Sequence, residues 1–285
     1  MIGSRDIYQH WLISNIETKY PRKIIDLGIG NASLSIAAYS KWNTAKYYAT
    51  EIEPYKAKKL RNKLSFLNVV GYDTLNPNIS NRLKVKFGLM DVAICNPPYF
   101  TIKYDTKYNK LFESIGCQEF CSLKRISSEI VFLAHNLKLL KRNGELAIIV
   151  SDSLVTGKDY TTFRKVILSK FLLRRIIQLP DNVFDKTEAR THILFISKCK
   201  SSVKQCEIFA SNNNGELTEP IVVSTDKLSE RMDFQYHNYK LNELLGNKTL
   251  KEIGAIISRG KFSCRELSES KLFYFTQLIL RIMMN

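Results

Sequence analysis

The sequence predicts an α/β fold, a twisted and mostly parallel sheet with helices on both faces. Three observations carry that expectation. Short β-type runs alternate with helix-period segments through the first 200 residues. Two of those runs end in turns of unusual chemistry, one rich in glycine and one in consecutive prolines. Apolar residues make up 45% of 285 and charged residues 25%, which is ordinary globular usage and excludes wholesale disorder.

Lys23-Ile-Ile-Asp-Leu27 is a short strand that stops at a glycine turn, and Ala32 to Ser40 follows with helical spacing. Lys46 to Glu51 is a second strand. Pro54 stands at a first helical position and opens a helix over Tyr55 to Phe66. Asp91-Val-Ala-Ile-Cys95 is a buried strand that runs into Asn96-Pro97-Pro98-Tyr99. Apolar residues at 123, 126, 130, 133, 137 and 140 share one helical face, which predicts a helix over Ser122 to Leu140, closed by Lys141-Arg-Asn-Gly144. Glu145 to Val150, Arg174 to Leu179 and Thr191 to Ser197 read as further strands. In such sheets ligands sit beyond the carboxyl ends of strands, where the glycine and proline turns both fall.

Charge narrows the partners. There are 43 Lys and Arg against 27 Asp and Glu, a net charge of +16, so polyanions come first and nucleic acid first among them. Residues 1–200 hold 32 basic and 17 acidic residues, residues 201–245 hold 4 and 7, and residues 246–285 hold 7 and 3. The chain changes character near residue 200. No apolar run approaches the roughly 18 residues of a membrane span, and the start lacks a charged leader followed by an apolar signal region. A cytoplasmic location and no membrane partner follow as expectations. The six cysteines (95, 117, 121, 199, 206 and 264) include no C-x-x-C pair and complete no zinc site, so no metal is expected.

Two motifs carry chemistry. In Asp26-Leu-Gly28-Ile-Gly30-Asn-Ala32-Ser33 the glycines let backbone approach a ligand closely at a strand-to-helix turn. Taken alone, such a turn binds dinucleotides, adenosyl cofactors or nothing. Glu51, at the end of the second strand, stands where an acid receives ribose hydroxyls. Asn96-Pro97-Pro98-Tyr99 is sharper. The prolines fix φ and force Asn96 into an extended conformation. A rigid Asn carboxamide beside the Pro97 carbonyl offers two acceptors for an exocyclic amine, and Tyr99 offers a flat face for a base. Hydrogen bonds that strengthen as the nitrogen pyramidalises stabilise a transition state selectively.

Asp26–Ser33, Glu51, Asp73 and Asn96–Tyr99, in that order, resemble the motifs of S-adenosylmethionine-dependent amino-methyltransferases. They are most similar to the adenine-N6 DNA methyltransferases of restriction–modification systems that place the cofactor motif before the catalytic motif and the recognition domain last. The resemblance covers roughly residues 1–250 and implies a Rossmann-like methyltransferase fold with a short C-terminal extension. It places Asp26 and Gly28 at the methionine half of S-adenosylmethionine, Glu51 at its ribose and Asp73 at its adenine, counts Gly30 among the cofactor-binding residues, and has Asn96, Pro97 and Tyr99 holding the target base. Ala32 departs from the family by filling the third glycine position. Leu179 to Phe195 resembles the segment that sets an aromatic against the extruded base, and Phe184 is the matching position.

Cytosine-N4 enzymes more often carry Ser where Asn96 stands, and the Pro-Cys nucleophile of cytosine-C5 enzymes is absent. Ribosomal RNA guanine-N2 and release-factor glutamine methyltransferases share Asn-Pro-Pro-Tyr, and the Phe184 segment and the junction into a recognition domain argue against both. The resemblance implies DNA as partner, together with a specificity subunit or a cognate restriction nuclease. The expected organisation is a methyltransferase domain over 1–225, a linker over 226–248 and the start of a recognition domain over 249–285. A recognition domain needs on the order of 100 residues, so the reading at this stage is truncation. The alternatives are a catalytically weak or inactive modification subunit that needs a separate DNA-specificity partner, or an RNA or protein amino-methyltransferase with the same Asn-Pro-Pro-Tyr motif.

Overall fold

The computed structural model describes residues 4–123, 126–181, 190–200, 204–212, 216–238, 256–259 and 278–281. It divides into two compact units, residues 1–238 and 239–285. In the first unit α1 (Ser4–Ser14) precedes an alternation of β1 (Lys23–Leu27), α2 (Ser33–Lys41), β2 (Lys46–Glu51), α3 (Pro54–Lys63), β3 (Leu67–Gly71), α4 (Ile79–Phe87) and β4 (Met90–Cys95). Beyond β4 come β5 (Thr101–Ile102), α5 (Asn109–Ser114), β6 (Ile126–Ser127), α6 (Ser128–Leu139), β7 (Leu140–Ser151), α7 (Asp152–Thr156), α8 (Thr161–Lys170), β8 (Leu172–Gln178) and β9 (Thr191–Ser197). The unit closes with β10 (Gln205–Ala210), β11 (Ile221–Ser224), α9 (Thr225–Leu228) and α10 (Phe234–Asn238).

Nine strands form one sheet in the order β11-β10-β8-β9-β7-β4-β1-β2-β3. Strands β3, β2, β1, β4 and β7 run parallel, while β9 is antiparallel to both β7 and β8. The central strands read as near-continuous apolar runs because both faces are covered. Alternate residues feed two cores. Ile25, Leu27, Ala93, Cys95 and Ile148 pack with Leu83, Phe112, Leu133 and Ile167 of the helices on one face. Ile24, Tyr47, Ala49, Ile94 and Ile149 pack with Leu12, Leu34, Ala38, Ala57 and Leu60 on the other.

The chain begins the sheet at β1, steps outward through β2 to β3, and then returns across β1 to lay down β4. That reversal opens a crevice at the carboxyl ends of β1 and β4.

The helix expected over Ser122 to Leu140 is shorter than its apolar periodicity suggests. A 3₁₀ turn covers Gln118–Ser122, Ile126 pairs with Ile102 in a two-stranded ribbon, and α6 starts at Ser128. Leu123 and Ile126 are buried in the same core without being helical, so the periodicity reported burial and not conformation. Leu228, Met232 and Phe234 also pack into that core, so the compact unit extends through α9 and α10 to Asn238. Within residues 239–285 the described backbone is an antiparallel pair, β12 (Ile256–Arg259) with β13 (Leu278–Arg281), in register from Ile256↔Arg281 to Arg259↔Leu278.

Candidate active site

The turn after β1 is built from left-handed backbone. Gly28, Gly30 and Ala32 have φ of 71°, 57° and 65°. At Gly28 the need for glycine is double, since a Cβ there would also lie 2.8 Å from Cε1 of Phe132 on α6. Gly28 N–H donates to Thr50 Oγ1 and Ile29 N–H to Thr50 O, both at 2.9 Å, which pins the turn to the end of β2. Thr50 Oγ1 in turn lies 2.8 Å from Thr74 Oγ1. Ala32 is fully buried in a conformation that costs a non-glycine residue about 1–2 kcal/mol.

Asp26 stands behind this turn and does not line the cleft. It is 2% exposed, and its carboxylate accepts the Ser35 hydroxyl at 2.8 Å, which ties β1 to the first turns of α2. Burial pushes the carboxyl up to about 7, against the lowering effect of the Ser35 bond. The folded chain therefore keeps a proton that the unfolded chain releases near pH 4. Stability contributed by this group is present below that point and falls as pH rises through about 7, by on the order of 4 kcal/mol. Asp26→Asn keeps an acceptor for Ser35 and removes the titration. Its advantage over the unmodified chain in urea midpoint should grow between pH 5 and pH 8. Parallel midpoint curves would show that Asp26 is not protonated in the folded state.

Glu51 ends β2 at 5% exposure. Its Oε1 accepts from Glu53 N–H at 3.2 Å, and its Oε2 lies 3.5 Å from the Lys56 ammonium. Asp73, beyond β3, accepts Leu75 N–H at 2.8 Å, an Asx turn that fixes its side chain.

Asn96 follows the fully buried end of β4. The Tyr99 hydroxyl donates to Asn96 Oδ1 at 2.7 Å, so the phenol and the carboxamide share one hydrogen bond. Burial, with Glu129 nearby, holds the phenol well above its ordinary value, so it stays a donor. The segment is clamped from α6. Ser128 N–H donates to Phe100 O at 2.9 Å, Phe100 N–H donates to Ser128 Oγ at 3.3 Å, and Ser128 Oγ donates to Pro98 O. The neighbouring Glu129 is 2% exposed and accepts Ser151 N–H at 2.7 Å, joining the carboxyl end of β7 to the same frame.

These elements enclose a cleft of about 490 Å³. Gly28, Gly30, Glu51, Asp73, Asn96, Pro97 and Tyr99 all line it, with Ile52, Lys56, Thr74, Leu75 and Phe132. Seven sequence-derived site residues thus meet in one place, whereas Asp26 lies beneath it. Phe184 lies outside the described residues. Sequence reasoning missed Thr50, Thr74, Phe132, Ser128 and Glu129. Of these, only Thr50 left a signal, as a polar residue following Tyr47-Tyr48-Ala49 in β2 and directly preceding Glu51.

The cleft fits an adenosyl group. Two glycines without side chains, Gly28 and Gly30, line it, the nearly buried Glu51 carboxylate stands at the end of β2, and apolar Ile52 and Leu75 line it as well.

Comparison with known proteins agrees with this geometry. A 164-residue stretch is 29% identical to a putative type II restriction enzyme and methyltransferase of Methanocaldococcus jannaschii, covering 54% of this chain and 13% of that protein. A 211-residue stretch is 24% identical to the type I restriction enzyme MpnII methylase subunit of Mycoplasma pneumoniae, covering 68% of this chain and 38% of that one. The chain therefore spans well under half the length of these relatives. Among solved structures, the type I restriction-modification system methyltransferase subunit of Streptococcus thermophilus superposes with a TM-score of 0.59 at 20% identity, over 79% of this chain and 50% of that one. A putative class I S-adenosylmethionine-dependent methyltransferase of Listeria monocytogenes gives a TM-score of 0.57 at 19% identity, over 73% and 64%. These likenesses show that the sheet and its helices have the class I methyltransferase fold. Residues 7–240 match the family model described as N-6 DNA Methylase, and the chain belongs to that family.

Proposed function

We propose that this chain transfers a methyl group from S-adenosylmethionine to the exocyclic N6 amine of adenine in DNA, acting on a base turned out of the duplex. One observation carries the reading: the glycine turn after β1 and the Asn-Pro-Pro-Tyr turn after β4 open into a single cleft. Gly28, Gly30, Glu51, Ile52 and Asp73 would hold the cofactor, with Glu51 accepting ribose hydroxyls. When bound, S-adenosylmethionine supplies an electrophilic methyl on a sulfonium centre.

The chain supplies orientation and amine activation. Asn96 Oδ1 and the Pro97 carbonyl accept the two amine hydrogens, which draws the nitrogen lone pair out of conjugation with the ring. Tyr99 covers one face of the base while its hydroxyl fixes the carboxamide. Stacking on Tyr99 offsets part of the few kcal/mol needed to unstack the base. No general base is required, since the methylated amine becomes acidic and loses its proton to water.

The type I relatives are methylase subunits by name. That favours a second arrangement, in which DNA is read by a separate specificity subunit, with a cognate nuclease as further partner. Isothermal titration with S-adenosylmethionine together with transfer of labelled methyl to mixed-sequence DNA separates the two. Cofactor binding without methylation of any DNA would sink the free-standing enzyme and favour the subunit. Glu51→Ala should weaken cofactor binding by about 10–100-fold, the value of one or two hydrogen bonds to a charged group. An unchanged affinity would remove Glu51 from the cofactor site.

A further inference from the structure

We propose that the outward face of α3 is a docking surface for the phosphodiester backbone of the DNA duplex. The inference rests on the reading of the substrate as DNA. Helix α3, Pro-Tyr-Lys-Ala-Lys-Lys-Leu-Arg-Asn-Lys, carries five cations in ten residues and no acid. Two of the five are already engaged. Lys56 faces Glu51 at 3.5 Å, and Arg61 Nη1 donates to Val69 O at 2.7 Å. Ala57 and Leu60 face the core. Lys58, Lys59 and Lys63 remain exposed and join no ion pair among the described residues.

These three lysines, with Tyr55 and Asn62, line a groove of about 430 Å³ along the helix. The spacing i, i+3, i+4, i+7, i+8 places them on one face. Tyr55 is 81% exposed at its head. Lys56, the next residue, lines the catalytic cleft, so the cationic strip begins at the mouth of that cleft.

A helix that only faces water is stabilised by alternating charges, and like charges four apart, as in Lys59 and Lys63, destabilise it. The carboxyl end of α3 favours a cation at Lys63, but the helix holds no acid to pair with its lysines; an external polyanion offsets the remaining repulsion. Every group in the groove is a donor to phosphate oxygen: three ammonium groups, a phenol and a carboxamide. The contact is therefore sequence-independent and acts through counterion release.

The test compares the unmodified chain, the triple variant Lys58→Gln, Lys59→Gln, Lys63→Gln and the charge-keeping triple Arg variant. Binding to a mixed-sequence DNA duplex is followed by fluorescence anisotropy across a KCl series, with S-adenosylmethionine titrated in parallel. The Gln variant should bind the duplex about tenfold or more weakly near 0.15 M salt. Its slope of log K against log salt should flatten by about 2–3, at roughly 0.9 per lost phosphate contact. The Arg variant should keep the slope, and cofactor affinity should be unchanged in both. A slope identical in all three proteins overturns the proposal while leaving the active-site reading intact. Flattening with single-stranded RNA but not with duplex DNA also overturns it. An unmodified chain that neither methylates nor binds any duplex brings down the functional reading and this proposal together.

Discussion

Replacing Asn96 with alanine is expected to lower methyl transfer by about 10²–10³-fold or more while leaving S-adenosylmethionine affinity within about twofold. The exocyclic amine is a poor nucleophile because its lone pair is delocalised, and in the proposed reaction the Asn96 carboxamide is the side chain that reverses that. Two prolines fix its backbone and the Tyr99 hydroxyl fixes its side chain, so little reorganisation remains for the reaction step. The bonds it makes grow stronger toward the transition state, so the loss should fall on kcat and only weakly on KM for DNA. Asn96→Asp keeps an acceptor oxygen at the Oδ1 position and should retain more activity than Asn96→Ala. Steady-state kinetics with labelled cofactor measures both effects. Activity surviving in Asn96→Ala would mean that the amine is not gripped here.

Arg164→Leu is expected to destabilise the first unit by about 3–5 kcal/mol, read as a lowered urea midpoint. Arg164 is 1% exposed and has no acidic hydrogen-bond partner among the described residues. Its guanidinium donates to four main-chain carbonyls, those of Leu154, Gly157, Ser229 and Glu230, and to the Thr161 hydroxyl. Every N–H of the fork is thus engaged, and the residue ties α7 and α8 to the segment that follows α9. An apolar replacement leaves those carbonyls buried without a donor, a loss comparable to a third or more of a typical domain's stability. Arg164→Lys cannot reproduce the planar fork and should recover only part of it. A shift below about 1 kcal/mol would mean that water replaces the guanidinium without cost.

Arg164 also shows where the sequence misleads. It counts toward the +16 that pointed at polyanions, yet it serves the fold. Lys41 donates to Ile13 O and Ile16 O at the end of α1, Lys23 donates to Phe87 O, and Lys198 donates to Leu140 O. A formal charge sum cannot separate such caps from α3, whose free lysines face outward. Only the folded chain distinguishes the two kinds of cation.

The glycine and proline turns were legible because their chemistry is local. Positive φ and fixed φ are written in single residues, and each turn follows a short apolar run. Both were expected at the carboxyl ends of strands, where ligands sit in such sheets, whereas the pairing of β4 with β1 that brings them together came only from the fold. Phe132 was not legible: it sits on the core face of α6 like any apolar residue, and only three-dimensional packing brings its ring against Gly28. Ser128 and Glu129 were hidden inside a stretch whose periodicity had suggested helix from Ser122 onward. Asp26 was legible as a motif residue but not as a buried one, because burial depends on α2 folding back over it with Ser35.

The proposed reaction at this cleft is methyl transfer to adenine N6 in DNA. The most direct measurement incubates the chain with S-adenosylmethionine carrying an isotopically labelled methyl group and mixed-sequence duplex DNA. The DNA is then digested to nucleosides and analysed by mass spectrometry. Label is expected in N6-methyldeoxyadenosine and is expected to be lost in Asn96→Ala. Label in N4-methyldeoxycytidine, or cofactor bound with no label in deoxyadenosine, would contradict it.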